Sequence, residues 1–199
     1  MTLSSAFGRT IRYATKPGEK PWMRMSQATR AWTLAELQRL PDDGNKYELV
    51  RGELFVTPAP RPGHERILAR LRRAIDPYVE WNGLGVTEAR GVVRVRESEV
   101  EPDLLVRTDS PSVSSWEDAP TPILVAEVLS GTTRRRDHVQ KRDWYLEVGI
   151  PEYWIIDPDE RTLRVVRAGT ADDVRSNTVT WLPRGVSNPF ELEIAKLFD

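Results

Sequence analysis

A single carboxylate stands in the most apolar run of the chain. In PILVAEVLSGTTRRRDHVQKRDWY, residues 122–145, Glu127 is flanked by Val125, Ala126, Val128 and Leu129. Buried Asp and Glu are almost always paired, because an unpaired charge in an apolar setting is costly. A positive partner is therefore expected at Glu127: a metal ion, an arginine, or Lys141 from further along the chain. Asp103, in VEPDLLV, poses the same problem. Pro102 before it cannot donate a ladder hydrogen bond, so it marks a strand start, an edge or a bulge that re-aims Asp103. Two carboxylates and an ammonium group meeting at one point suit phosphodiester hydrolysis. The carboxylates would hold one or two Mg2+ (or Mn2+) ions, which polarise a phosphoryl oxygen and activate water. The ammonium would orient that water or neutralise developing charge.

Each residue also has a plainer structural explanation. Asp137 and Lys141 could form a surface pair worth about 0.2–0.5 kcal/mol. Glu127 could pair with an arginine of 134–136, and Asp103 could cap a turn. Only the three groups together argue for a site.

The elements around them follow from periodicity. Ile123, Val125, Glu127 and Leu129 share one strand face; Leu124, Ala126 and Val128 share the other. Both faces are apolar, so the strand is internal, and Glu127 lies near its C-terminal end, where open α/β sheets gather ligands. A helix should follow, ended by Gly149, with Asp137, Lys141, Tyr145 and Val148 in one stripe. Tyr145 and Val148 would draw Lys141 towards the sheet.

Upstream, TLAELQRL (33–40) carries a capping box, Thr33 with Glu36, and predicts a short helix. KYELVRGELFVTP (46–58) reads as a hairpin around Arg51-Gly52, with Glu48 between Tyr47 and Leu49. The span from His64 to about Glu80 has helical spacing, with Pro77 expected to kink or end it. Its outer face carries Arg66, Arg70, Arg72 and Arg73. His64 reads as an exposed or capping residue; its functional alternative is a hydrogen bond to Glu48 or a contact to phosphate. Residues 85–96 and VEPDLLVR (100–107) read as strands, and 108–121 as a long loop. EYWIID, TLRVVRA and a strand near 177–182 follow, then a short terminal helix in ELEIAKLFD. Trp144 and Trp154 belong to the core, and Trp116 is the tryptophan expected at the surface. The order predicts an α/β domain over 30–199, one mixed sheet with helices packed on it. Residues 1–29 read as a flexible basic extension; residues 1–24 hold five basic side chains against Glu19, a net of +4.

Composition narrows the chemistry. With no Cys and only His64 and His138, thiolate catalysis is excluded and a zinc site is poorly supported. A net charge of -1 is not that of a bulk nucleic-acid binder, so contacts must come from local patches. No apolar run is long enough to span a membrane, and no apolar leader opens the chain. A cytoplasmic location is expected.

YELVRGEL (47–54), EPDLLV (101–106), VAEVLSGTT (125–133), Asp137, Lys141, Tyr145, Gly149 and EYWIIDP (152–158) together resemble the putative restriction endonuclease family of the PD-(D/E)xK nuclease superfamily. The resemblance implies a restriction-endonuclease-like mixed β-sheet flanked by α-helices. It also implies a metal-dependent DNA endonuclease. Asp103 and Glu127 match the motif acids, and Glu48 the early glutamate that completes the metal site. The motif lysine should lie two residues after Glu127, where this chain has Leu129; Lys141 matches the relocated lysine. His64 and Tyr145 would support the ligands from behind. Arg61, Arg66, Arg70, Arg134 and Arg135 would contact the backbone of double-stranded DNA, and a homodimer would cut both strands. The Leu129 departure favours a rival: a catalytically inactive nucleic-acid-binding or protein-interaction module on a nuclease fold.

Overall fold

The computed structural model describes residues 12–13, 30–130 and 137–199, without the side chains of residues 12, 13, 137 and 138. The remainder of the basic segment 1–29, and Arg134 and Arg135, lie outside the described residues.

A β-hairpin carries Glu48. Strands β2 (Lys46–Val50) and β3 (Glu53–Thr57) pair antiparallel, with Glu48 opposite Phe55. The turn needs two left-handed residues, Arg51 (φ 50°) and Gly52 (φ 80°). Gly52 also lies so close to Ala31 that a Cβ would come within 2.6 Å of the Ala31 Cβ. The short strand β1 (Arg12–Tyr13) runs parallel to β3. Helix α1 (Leu34–Leu37) has the expected Thr33–Glu36 capping box and packs Leu37 onto Leu49, Leu54 and Val56.

Helix α2 spans Pro62–Trp81 and buries Ile67, Leu71, Ile75 and Val79. Pro77 does not end it. One lost backbone bond near the helix end is offset by burial of Ile75 and Val79 on either side. Residues 85–96 are not one strand either. They break at Arg90 (φ 59°) into β4 (Val86–Ala89) and β5 (Val93–Val95), which enter different sheets. The chain then crosses between sheets once more, from β6 (Ser98–Val100) to β7 (Leu104–Arg107), through Glu101-Pro102-Asp103.

The strands thus divide between sheets. A six-stranded mixed sheet has the order β11-β10-β9-β8-β7-β4, with β8 (Leu124–Val128) parallel to β9 (Tyr153–Asp157). Its outer members include β10 (Thr162–Val166) and β11 (Asp173–Arg175). A second sheet has the order β1-β3-β2-β6-β5. One face of the large sheet, bearing Leu124, Ala126, Val128 and Trp154, packs on α2 and on the ribbon β12 (Thr178–Trp181) and β13 (Phe190–Glu193). The other face, bearing Val125, Leu129, Tyr153 and Ile155, packs on the second sheet and on helix α3 (Arg142–Glu147).

Three further expectations change. A π-helical turn, Asp137–Lys141, precedes the shorter α3. The expected terminal helix is instead β13 and a 3-10 turn, Ile194–Leu197, because Phe190 and Leu192 alternate inward and pair with β12. Trp144 and Trp154 are buried as expected, but Trp81 (89% exposed) is more open than Trp116 (43%). Among the described residues, no helix is long and apolar enough to cross a membrane.

Candidate active site

The site forms where the two sheets face each other. On β2, alternation points Lys46, Glu48 and Val50 towards the large sheet and Tyr47 and Leu49 towards α1. On the large sheet, β7 and β8 pair with Leu104 opposite Ala126. Continuing that register by one residue sets Asp103 across from Glu127. The crossover 101–103 is tied to β2: the Glu101 amide donates to Glu48 Oε1 (3.0 Å), and the Glu101 carbonyl accepts from Lys46 Nζ (2.9 Å).

Lys141 supplies the positive partner that Glu127 required. Its Nζ lies 2.5 Å from Glu127 Oε1 and 2.8 Å from Glu48 Oε1, and the side chain is fully buried. Lys141 is therefore no surface residue, and the side chain of Asp137 lies outside the described residues. Tyr145, one turn on, donates its hydroxyl to the same Glu127 oxygen (3.0 Å). Burial and then the Glu127 carboxylate push the Tyr145 hydroxyl pKa well above its usual value of 10, so it stays a donor.

Asp103 is held by different groups. Its Oδ1 accepts from Lys46 Nζ (3.2 Å); its Oδ2 accepts from the Val128 amide (2.9 Å) and lies 3.0 Å from His64 Nε2. Burial would raise its pKa, but Lys46, then His64 and Lys141, hold it well below the ordinary carboxylate range. For His64, burial lowers the pKa, and the Asp103 hydrogen bond and charge more than reverse this. His64 is thus neither an exposed nor a capping residue, and its partner is Asp103 rather than Glu48. It starts the buried stripe of α2, which faces β7 and β8.

A cavity of about 1060 Å³ opens on these groups. Its lining includes Lys46, Arg61, His64, Arg66, Arg70, Asp103 and Glu127, with Arg90 and Arg161 further round. The three described arginines expected at nucleic acid therefore share one cavity with two of the acids. Arg70 also donates to the Leu197 carbonyl (3.2 Å). Glu48, Lys141 and Tyr145 are not among the lining residues.

Sequence reasoning missed Lys46. The signal was present: a residue two before Glu48 on a strand must share its face.

The donor set suits a hard divalent cation, since Asp103, just before β7, and Glu127, on the adjacent β8, offer carboxylate oxygens. Among the described residues, no group of three or more His, Cys, Asp or Glu forms a cage for a metal. Magnesium needs no such cage; it keeps several waters and binds through one or two carboxylates plus substrate phosphate.

The sequence-family comparison decides the affiliation: residues 34–195 match the family Uma2, described as a putative restriction endonuclease. The chain belongs to the Uma2 family. A solved structure with a similar fold is described as a putative nuclease belonging to DUF820, from Anabaena variabilis ATCC 29413. It shares 23% identity, covers 83% of this chain and 97% of its own, and superposes with a TM-score of 0.70. At that identity the likeness concerns the fold: the Uma2 chain has the restriction-endonuclease-like α/β architecture. No curated protein matches the sequence.

Proposed function

We propose that this Uma2 protein is a Mg2+-dependent (or Mn2+-dependent) DNA endonuclease. The observation that carries the reading is one cavity whose lining holds Asp103, just before β7, and Glu127, on the adjacent β8, together with Arg61, Arg66 and Arg70. The family description points the same way, towards a nucleic-acid substrate. Asp103 and Glu127 are the residues that would hold the metal, which when bound would polarise the scissile phosphate and lower the pKa of an attacking water. Glu48, expected as a third ligand, positions Lys141. Lys141, expected to orient the water or neutralise developing charge, sits in the resting geometry between Glu127 and Glu48, where it compensates their carboxylates. The Val128 amide and His64 orient Asp103. The arginines grip the phosphate backbone on either side of the cut. A symmetric dimer would present two such cavities to the two strands of a duplex.

The test is cleavage of supercoiled and linear DNA with Mg2+ or Mn2+ by wild type, Glu127→Ala and Asp103→Asn. The reading requires metal-dependent cutting by wild type that both variants lose. Equal background cutting by all three would refute it. A second reading, a binding module that does not cut, draws support from the pairing of all three acids with ammonium groups within the chain. DNA binding without cleavage under every metal tried would favour it.

A further inference from the structure

Asp103 is the motif acid most exposed to the cavity's positive lining, yet both its oxygens are engaged by the chain itself. Oδ2 takes the Val128 amide and His64 Nε2, and Oδ1 takes Lys46 Nζ. An ammonium group 3.2 Å from Oδ1 repels a divalent cation approaching that oxygen and competes with it for the carboxylate. The two lysines of the site differ in how they are held. Lys141 is fully buried between two carboxylates and is not part of the cavity lining. Lys46 stands at the first residue of β2, lines the cavity with Arg61 and Arg66, and hydrogen-bonds the neutral Glu101 carbonyl besides Asp103.

We propose that Lys46 is a displaceable counter-cation on Asp103, which competes with a divalent metal for this carboxylate and which entering nucleic-acid phosphate draws away. The inference rests on the nuclease reading above. A lysine suits the task, because its ammonium is a compact charge on a flexible four-carbon stem. It can exchange a carboxylate for a phosphate within the same cavity. Metal and nucleic acid would then load together, and the metal-free site would stay internally neutralised while no substrate is present.

The experiment titrates Mn2+ into metal-free protein without DNA, read by electron paramagnetic resonance. Lys46→Met and Lys46→Gln, two neutral replacements, should bind Mn2+ at least about tenfold more tightly than wild type, and Lys46→Arg should resemble wild type. Binding of a fluorescent DNA duplex, read by anisotropy, should strengthen with Ca2+ in wild type and strengthen less in Lys46→Met, since coupling between two ligands is reciprocal. Equal Mn2+ affinity in wild type and both neutral variants would overturn the role of Lys46 and leave the nuclease reading standing. No Mn2+ binding by any variant, with or without DNA, would overturn both.

Discussion

Lys141 faces two carboxylates inside the protein, so its removal leaves like charges buried together. Breaking a buried pair from one side typically costs about 3–5 kcal/mol. Lys141→Met should therefore lower the unfolding free energy in urea by about that amount, and a change under 1 kcal/mol would contradict the buried geometry. Glu48→Gln in the same background should restore part of it by removing one of the facing charges. The His64–Asp103 pair gives a pH signature. His64 has its pKa raised above the ordinary 6.5, so its stabilising contribution is complete below about pH 6.5 and fades as pH climbs through the folded-state value. Asp103, with a depressed pKa, contributes above its ordinary value near 3.8 and loses that contribution only in acid. In chelator-treated protein, His64→Gln should flatten the loss of stability on the alkaline side of pH 6.5. Parallel curves for the two proteins would show that the pair is not ionic.

The elements that deliver these residues differ in how openly the sequence announced them. The Thr33 capping box, the hairpin, β8 and β9 rest on local signals, a cap, a turn or an apolar run, and those signals were enough. The break at Arg90 was hidden, because a left-handed arginine has no compositional mark and both flanking segments keep strand character. The π-helical turn that ends at Lys141 was hidden likewise, since its residues fit an ordinary helical stripe. Lys46 was passed over because a lysine at a strand's start looks like a solvated end until the large sheet covers it. At this scale the Arg51-Gly52 turn is the sensitive point. Gly52→Ala places a Cβ against Ala31 at a positive φ, and should destabilise by more than about 1 kcal/mol. It should also weaken the site, since the turn sets the register of Lys46 and Glu48. Thermal unfolding together with Mn2+ binding would check this; an unchanged Tm would mean the loop before α1 yields freely.

Across the whole molecule, a near-neutral net charge and a cavity edged with arginines predict weak binding at distance and salt-sensitive binding on contact. Arg66→Ala should reduce the slope of log K against log salt for duplex DNA by about one. Arg70→Ala should change it less, because that guanidinium already serves the Leu197 carbonyl. An unchanged slope for Arg66→Ala would place the phosphate track elsewhere. The restriction-endonuclease-like architecture was legible from the ordered set of motifs, but the division of the strands among two larger sheets and a two-stranded ribbon was not, because pairing between distant strands leaves no local mark.

That division makes the pocket a seam. Glu48 and Lys46 ride on one sheet and Glu127 on the other, and the three-residue crossing Glu101–Asp103, which carries Asp103, stitches them together. A slight slide of one sheet over the other would misalign the acids while leaving each sheet's own ladder intact. Catalytic competence should accordingly be more fragile than the fold: on mild warming or in dilute urea, metal uptake would vanish before circular dichroism registers any melting.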